Sequence, residues 1–349
     1  MKMNMNMKMN MSANMSTNLS TNMSSGQPVC VWPLGAELGE GPLWHAASNS
    51  VYFVDIRARQ VHRCAPDGAR RQSWPAPGRP GFIVPAVGAR EGKDIQDVKE
   101  DVKEDVKDIK DVKDEKDEKA GDGFVVGLDD GLYRFDPDTG VFSLLRAVEA
   151  DRPGNRFNDG FVGADGALWF GSMDVGESAP TGSLYSLHPG GRLRTVDSGY
   201  IITNGPAMSP DGKTLYHTDT LGKRIYAFDV LPDGSATRMR LLIATAGPGH
   251  PDGMAVDIEG NIWVAMFRGA RIDRYTPDGE LSGSIAFPVS NITKLAFGGP
   301  DLRTAFVTTA WKGLSAAERA RETLAGALFS FRSDTPGLPQ HTFLSQDIA

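Results

Sequence analysis

Apolar and polar residues alternate along this chain in short runs rather than at helical spacing. SVYFVDI, FVVGL, GLYRF, ALWFGSM, SLYSL, TLYHTDT, RIYAFDV, NIWVAMF, RIDRY, AFVTTA and ALFSF each read as a short strand with one buried face. Asp-Gly pairs recur between the runs, at Asp67-Gly68, Asp130-Gly131, Asp165-Gly166, Asp211-Gly212, Asp233-Gly234 and Asp278-Gly279. Alternating runs joined by Asp-Gly predict β-hairpins. The hairpins repeat over a longer distance. GPLWHAASNSVYFVDIRARQVHRCAPDG, GPAMSPDGKTLYHTDTLGKRIYAFDVLPDG and DGMAVDIEGNIWVAMFRGARIDRYTPDG share one template: a buried strand, a turn, an aromatic-bearing strand, then a third strand closing on a Gly turn. A period of roughly 40–50 residues with about four strands per unit is that of a propeller blade. Unit starts near Glu40, Ile83, Asn158, Asn204, Asp252 and Thr293 predict an all-β, six-bladed β-propeller.

One unit is too long. The segment GKDIQDVKEDVKEDVKDIKDVKDEKDEKAGD interrupts the second blade at about residues 91–121, between FIVPAV and FVVGL. Ile95, Val98, Val102, Val106, Ile109 and Val112 would share one helical face, which makes the segment a candidate arm for a protein contact. The stripe is narrow and β-branched, so the simpler expectation is a solvated low-complexity insertion in a hairpin loop. The domain plan is thus a disordered Met/Asn/Ser-rich tail over 1–26 and a propeller over 27–349, broken by this charged, candidate-helical insertion.

Composition changes the picture little. The net charge is −7, but residues 91 to 119 hold 13 acidic residues against 8 Lys, so most of the excess is local to the insertion. No basic patch points to nucleic acid, and no run of 18 apolar residues points to a membrane span. The two cysteines, Cys30 and Cys64, have no metal-ligand spacing, and the expectation is a reduced, cytoplasmic monomer.

In a propeller the first strand of each blade lines a central channel, so polar residues at blade starts converge at one mouth. The first blade offers Glu40, the third Arg156, Asn158 and Asp159, the fourth Asn204 and the fifth Asp252. Carboxylates and carboxamides form a hard-oxygen set for a divalent ion. No pair of His at ligand spacing suggests a His-rich zinc site. His217 and His250 are expected near the same mouth. Each Asn or Asp before Gly could equally be a turn residue; their shared phase in the repeat favours a site.

LGEGPLWHAASNSVYFVDIRARQVHR, NRFNDGFVGADGALWFGSMD, GSLYSL, TNGPAMSPDGKTLYHTDT and HPDGMAVDIEGNIWVA resemble the senescence-marker-protein/gluconolactonase/regucalcin family over about residues 31–343, the insertion excepted. The resemblance implies a six-bladed propeller with one divalent ion, whether Ca²⁺, Zn²⁺, Mn²⁺, Mg²⁺ or Fe²⁺, held by Glu40, Asn204 and Asp252. It implies substrate contacts from Arg156 and Asn158 and an acid/base role for Asp252. An acidic substrate contact in some members falls, by ungapped counting, on Gly176, so its neighbour Glu177 is carried as a candidate. Pro206 stands where the family often has a large apolar residue. The implied activity is hydrolysis of a sugar lactone (glucono-, xylono- or arabinolactone) to the aldonic acid. The alternatives are hydrolysis of other esters or organophosphates and a non-enzymatic sugar or metal sensor, since fold does not fix function. No GxSxG elbow supports a serine nucleophile.

Overall fold

The alternating runs pair antiparallel into six sheets arranged as the blades of a propeller. The structure, a computed structural model, describes residues 26–87 and 122–344. Tail residues 1–25 and nearly all of the charged insertion lie outside the described residues. Blades are numbered here in chain order. Their inner strands are Gly39–His45, Phe82–Val87, Asn155–Val162, Thr203–Met208, His250–Val256 and Ile292–Gly298. Every unit start read from the sequence falls on one of these six strands.

Blades one, three, four and five each take four consecutive strands. Blade six takes three from the C-terminal part of the chain and a fourth, Val29–Trp32, from the N-terminal end. That strand pairs antiparallel with Leu328–Arg332 and closes the ring. Blade two carries the insertion between Phe82–Val87 and Asp122–Gly127, whose pairing runs unbroken to Val87 opposite Asp122. The insertion therefore leaves and rejoins the sheet at paired positions, as a hairpin loop does. Blade two also gains a fifth strand, Phe343–Leu344, parallel to its inner strand. The single α-helix among the described residues, Ala316–Arg321, starts with a capping box between Ser315 and Glu318.

The core is distributed as one apolar cluster per seam between neighbouring blades. Trp263, Phe297, Phe329 and Phe331 fill the seam between blades five and six. Tyr52, Trp74, Phe124 and Phe135 fill that between one and two, and Phe82, Phe157 and Phe170 that between two and three. Trp169, Leu184 and Phe228 join three to four, and Tyr216, Met254 and Val264 join four to five. Trp32, Trp44, Phe53 and Phe306 close six onto one. Trp32, on the closing strand, meets Phe53 edge-to-face at 5.6 Å.

Residues 336–344 cross the far face of the ring. Pro336 O accepts from Ile258 N, and Gly337 N donates to Leu302 O, fixing the segment to blades five and six. Phe343 then pairs opposite Ala86 in blade two.

Trp32→Ala should cost about 3–5 kcal/mol of stability, the usual loss for a buried aromatic. Val29→Ala, on the same strand but exposed, should stay within about 0.5 kcal/mol. Urea unfolding midpoints of the two variants test whether closure of the ring depends on the apolar seam rather than on strand pairing alone.

Candidate functional site

Five of the six inner strands carry one extra residue near their first end, where the pairing with the second strand skips. Glu40 sits opposite Val54, but Leu43 opposite Tyr52. Asn204 sits opposite Thr218, but Ala207 opposite Tyr216. The skip recurs between Phe157 and Asp159, between Pro251 and Met254, and between Ile292 and Lys294. Each is a β-bulge, which bends the strand and re-aims its side chains. In blade three it lets the consecutive residues Asn158 and Asp159 both reach groups of neighbouring blades. Pro206 and Pro42 lie inside their bulges, where a missing backbone N–H costs no ladder bond. Gly205 adopts a left-handed φ of 44°, and a Cβ there would lie 2.8 Å from Met254 N of the next blade. Only glycine allows the two inner strands to approach so closely.

The bulges bring Glu40, Arg156, Asn158, Asn204 and Asp252 together at one end of the channel, all buried. A chain of hydrogen bonds fixes the amides. Arg156 Nη1 donates to Asn158 Oδ1 at 2.7 Å. Asn158 Nδ2 donates to Thr203 O and to Asn204 Oδ1, each at 2.7 Å. Asn204 Nδ2 donates to Thr220 Oγ1 at 2.8 Å. The orientation of the amides is determined by the ends of this chain: a guanidinium can only donate and a backbone carbonyl can only accept. Asn204 Oδ1 therefore faces Asn158 with one lone pair and keeps a second for another partner.

Burial and mutual repulsion favour the protonated forms of the two carboxylates. Burial raises Glu40 to about 8, and the neighbouring Asp159 adds to the shift. Burial likewise lifts Asp252 well above the usual carboxylate range, with Glu40 and then Asp159 contributing. Two buried carboxylates facing one another, beside an amide oxygen with a free lone pair, suit a hard divalent cation. Among the described residues no three His, Cys, Asp or Glu side chains form a metal-holding group; the Asn204 amide oxygen is the further oxygen donor beside the two carboxylates. The residues present fit an ion of this kind.

Glu177 lies at the rim rather than in the well. It has a left-handed φ of 53°, in a loop pinned by Asp174, whose carboxylate accepts from Ser178 N at 2.9 Å and Ala179 N at 2.8 Å. Its carboxylate bonds the Lys312 ammonium, so blade three is joined to blade six across the mouth. Glu177 is also the main charge favouring protonated Arg156, whose pKa burial lowers to about 10. Arg79 adds a further cation near Arg156 and is paired with Asp129 at 2.6 Å.

His250 fits the expectation of a mouth residue, with Nδ1 3.3 Å from Thr220 O. His217 does not. It is buried on the second strand of blade four, edge-on to Tyr200 of blade three at 4.7 Å, and burial lowers its pKa to about 3. The sequence reading missed Lys294, whose ammonium bonds Asp159. The available signal was a lone charge in the otherwise apolar strand ITKLAFG, and the bulge moves that charge into the channel phase one residue after Thr293.

Asn158→Ala removes the donor that holds Asn204 Oδ1. Affinity for a divalent ion should fall about 10–100-fold in calorimetric titration, as for other outer-sphere partners of metal ligands. Unchanged affinity would mean that Asn204 is held without it.

The model of the SMP-30/gluconolactonase/LRE-like region matches residues 38–311. A 6-deoxy-6-sulfogluconolactonase of Pseudomonas putida is 30% identical over 316 residues, 90% of this chain and 97% of that protein. An L-arabinolactonase of Azospirillum brasilense is 30% identical over 310 residues, 88% and 92% of the respective chains. The crystal structure of a calcium-binding protein, regucalcin, from Agrobacterium tumefaciens superposes with a TM-score of 0.78 at 26% identity, covering 92% of this chain and 97% of that one. The chain belongs to the SMP-30/gluconolactonase/LRE-like family.

Proposed function

We propose that this protein hydrolyses a sugar lactone to the aldonic acid with the help of one divalent ion held by Glu40, Asn204 and Asp252. The observation that carries the reading is the meeting of this oxygen-donor set with the anchored Arg156–Asn158 pair at one end of the channel. The lactonase names of relatives that span nearly the whole chain support the substrate class.

A bound divalent ion would polarise the lactone carbonyl and acidify a water molecule. The residues of the chain supply the rest. Water adds to the carbonyl carbon, the bond from that carbon to the ring oxygen breaks, and one proton travels from water to the leaving oxygen. Asp252 is placed to carry that proton. Burial, and then the neighbouring Glu40 and Asp159, raise its affinity for a proton, and a positioned carboxyl group can accept and return one. Arg156 remains charged and cannot act as a base, so it orients hydroxyls or steadies negative charge on the substrate. Asn158 holds Arg156 and Asn204 in register. Glu177 and Lys312 meet the part of the sugar nearest solvent. Rings that differ by a hydroxymethyl group or a sulfonate would be distinguished there, together with Arg79. The free thiols of Cys30 and Cys64 suit a reducing cytoplasmic setting.

The likeness to the Agrobacterium calcium-binding protein favours a second reading, binding without turnover. Acid release on mixing protein, ion and lactone separates the two.

A panel of aldonolactones should yield acid with wild-type protein reconstituted with Ca²⁺, Zn²⁺ or Mn²⁺. Asp252→Ala should lower turnover at least about 100-fold, the low end for loss of a general acid–base group. Near-wild-type turnover would exclude its role. Arg156→Lys keeps the charge but loses the Nη1 bonds to Asn158 Oδ1 and Phe157 O, and should raise KM more than it lowers kcat. The reverse pattern would place Arg156 at the reacting carbonyl.

A further inference from the structure

Glu149 is a nearly buried carboxylate that the reaction outlined above does not use. It lies between the outer strand of blade two, Val141–Ala147, and the inner strand of blade three, Asn155–Val162, with its side chain 4% exposed. A carboxylate is costly to bury unless its lone pairs are met, and here they are. Its Oε1 accepts from Ser172 Oγ at 2.8 Å and from Tyr185 OH at 2.6 Å, on the second and third strands of blade three. Its Oε2 accepts from Asn155 Nδ2 at 2.9 Å. Burial, and then the bond to Glu149, push Tyr185 up to about 12, so its hydroxyl remains a donor.

These bonds fix the amide of Asn155, itself buried. A carboxylate can only accept, so Asn155 turns Nδ2 toward Glu149 and leaves Oδ1 for another donor. That donor is Thr181 Oγ1 at 2.6 Å, and Asn155 Nδ2 also donates to Thr181 O at 3.1 Å. Thr181 ends the loop that follows Asp174 and carries Glu177. The start of the loop is tied to the same place, with Val175 N donating to Gly154 O at 2.9 Å. Asp174 bonds within the loop and sets its shape. Gly154 and Asn155 set where it stands. Arg156 follows Asn155 directly, and Glu177 is the charge that most favours its protonated form. Two groups of the mouth, Arg156 on a strand and Glu177 on a loop, are thus located from one buried point.

We propose that Glu149, Asn155 and Thr181 are positioning residues, a buried clamp that holds the Glu177 loop against the strand of Arg156 and so sets the spacing of two side chains that meet the substrate. The inference rests on the reading that a sugar lactone binds at this mouth. The clamp acts through Arg156 and Glu177 and contributes no group to the reacting carbonyl.

Thr181→Val, which keeps the shape of the side chain and removes its donor, tests the clamp in the full-length chain. Amide hydrogen exchange over residues 175–180 should quicken roughly three- to tenfold, the worth of one hydrogen bond. On the aldonolactone that wild-type protein hydrolyses fastest, KM should rise by a similar factor while kcat stays within about twofold. Thr181→Ser, which restores the hydroxyl, should return exchange and KM to wild type. A purely structural role would leave KM of the folded valine variant unchanged, and that result would overturn the proposal. Unaltered exchange, a loss in kcat without a rise in KM, or no rescue by serine would do the same. Should Thr181→Val not fold, Tyr185→Phe removes one donor to Glu149 and is judged by the same exchange and KM criteria. Exchange that quickens as expected in a protein that releases acid from no lactone would refute the proposed hydrolysis while upholding the clamp.

Discussion

The polar end of the channel depends on a backbone irregularity repeated around the ring. A regular strand turns alternate side chains toward the axis and sends those between them into the seams. One extra residue near the start of an inner strand resets that alternation. Blade three can then direct both Asn158 and Asp159 to channel partners, and blade six can direct Lys294 there. The apolar residues farther along each strand still pack between blades. Glycine and proline supply the local chemistry, as in Glu40-Gly41-Pro42 and Asn204-Gly205-Pro206. Without the bulges the polar side chains would enter the apolar seams, where each unpaired group would cost about 1–3 kcal/mol.

Burying so many charges would be prohibitive one at a time. The structure handles them by connection. Arg156, Asn158, Thr203, Asn204 and Thr220 form one hydrogen-bonded line across blades three and four, and Asp159 ties blade three to blades four and six. The bonds that hold the site also fasten inner strands to one another near the axis. Packing at the seams and polar bonding at the axis thus divide the same task by radius. Glu40 and Asp252 remain short of positive charge, and they are the carboxylates whose protonation burial most disturbs.

Much of this was legible in the chain because propeller blades are local. Hairpins with Asp-Gly turns fix their own register, so unit starts at Glu40, Asn158, Asn204 and Asp252 locate inner strands without knowledge of the partners. Ring closure was not legible. Val29–Trp32 pairs with Leu328–Arg332 from the other end of the chain, and nothing local in VCVW names that partner. Lys294 was hidden for a different reason: the bulge before it shifts the channel phase by one residue from Thr293. His217 shows the converse error. It was expected near the mouth, but it stands on a second strand, where it is buried away from the channel. Glu177 was placed by counting alone, and its position at the rim follows from the loop that Asp174 organises.

The segment that crosses the far face has a consequence for traffic through the protein. Residues 336–344 run from blades five and six to blade two, and residues 338–341 line a largely apolar cavity that reaches Lys294, whose ammonium bonds Asp159. The channel is a cul-de-sac for a polar solute, so reactant and product share one doorway, the opening spanned by Lys312 and Glu177. In the proposed reaction a lactone would enter as a compact ring, and its product would leave as a longer, open-chain anion past Arg156 and Lys312. Departure, rather than arrival, is then the passage that these cations would retard.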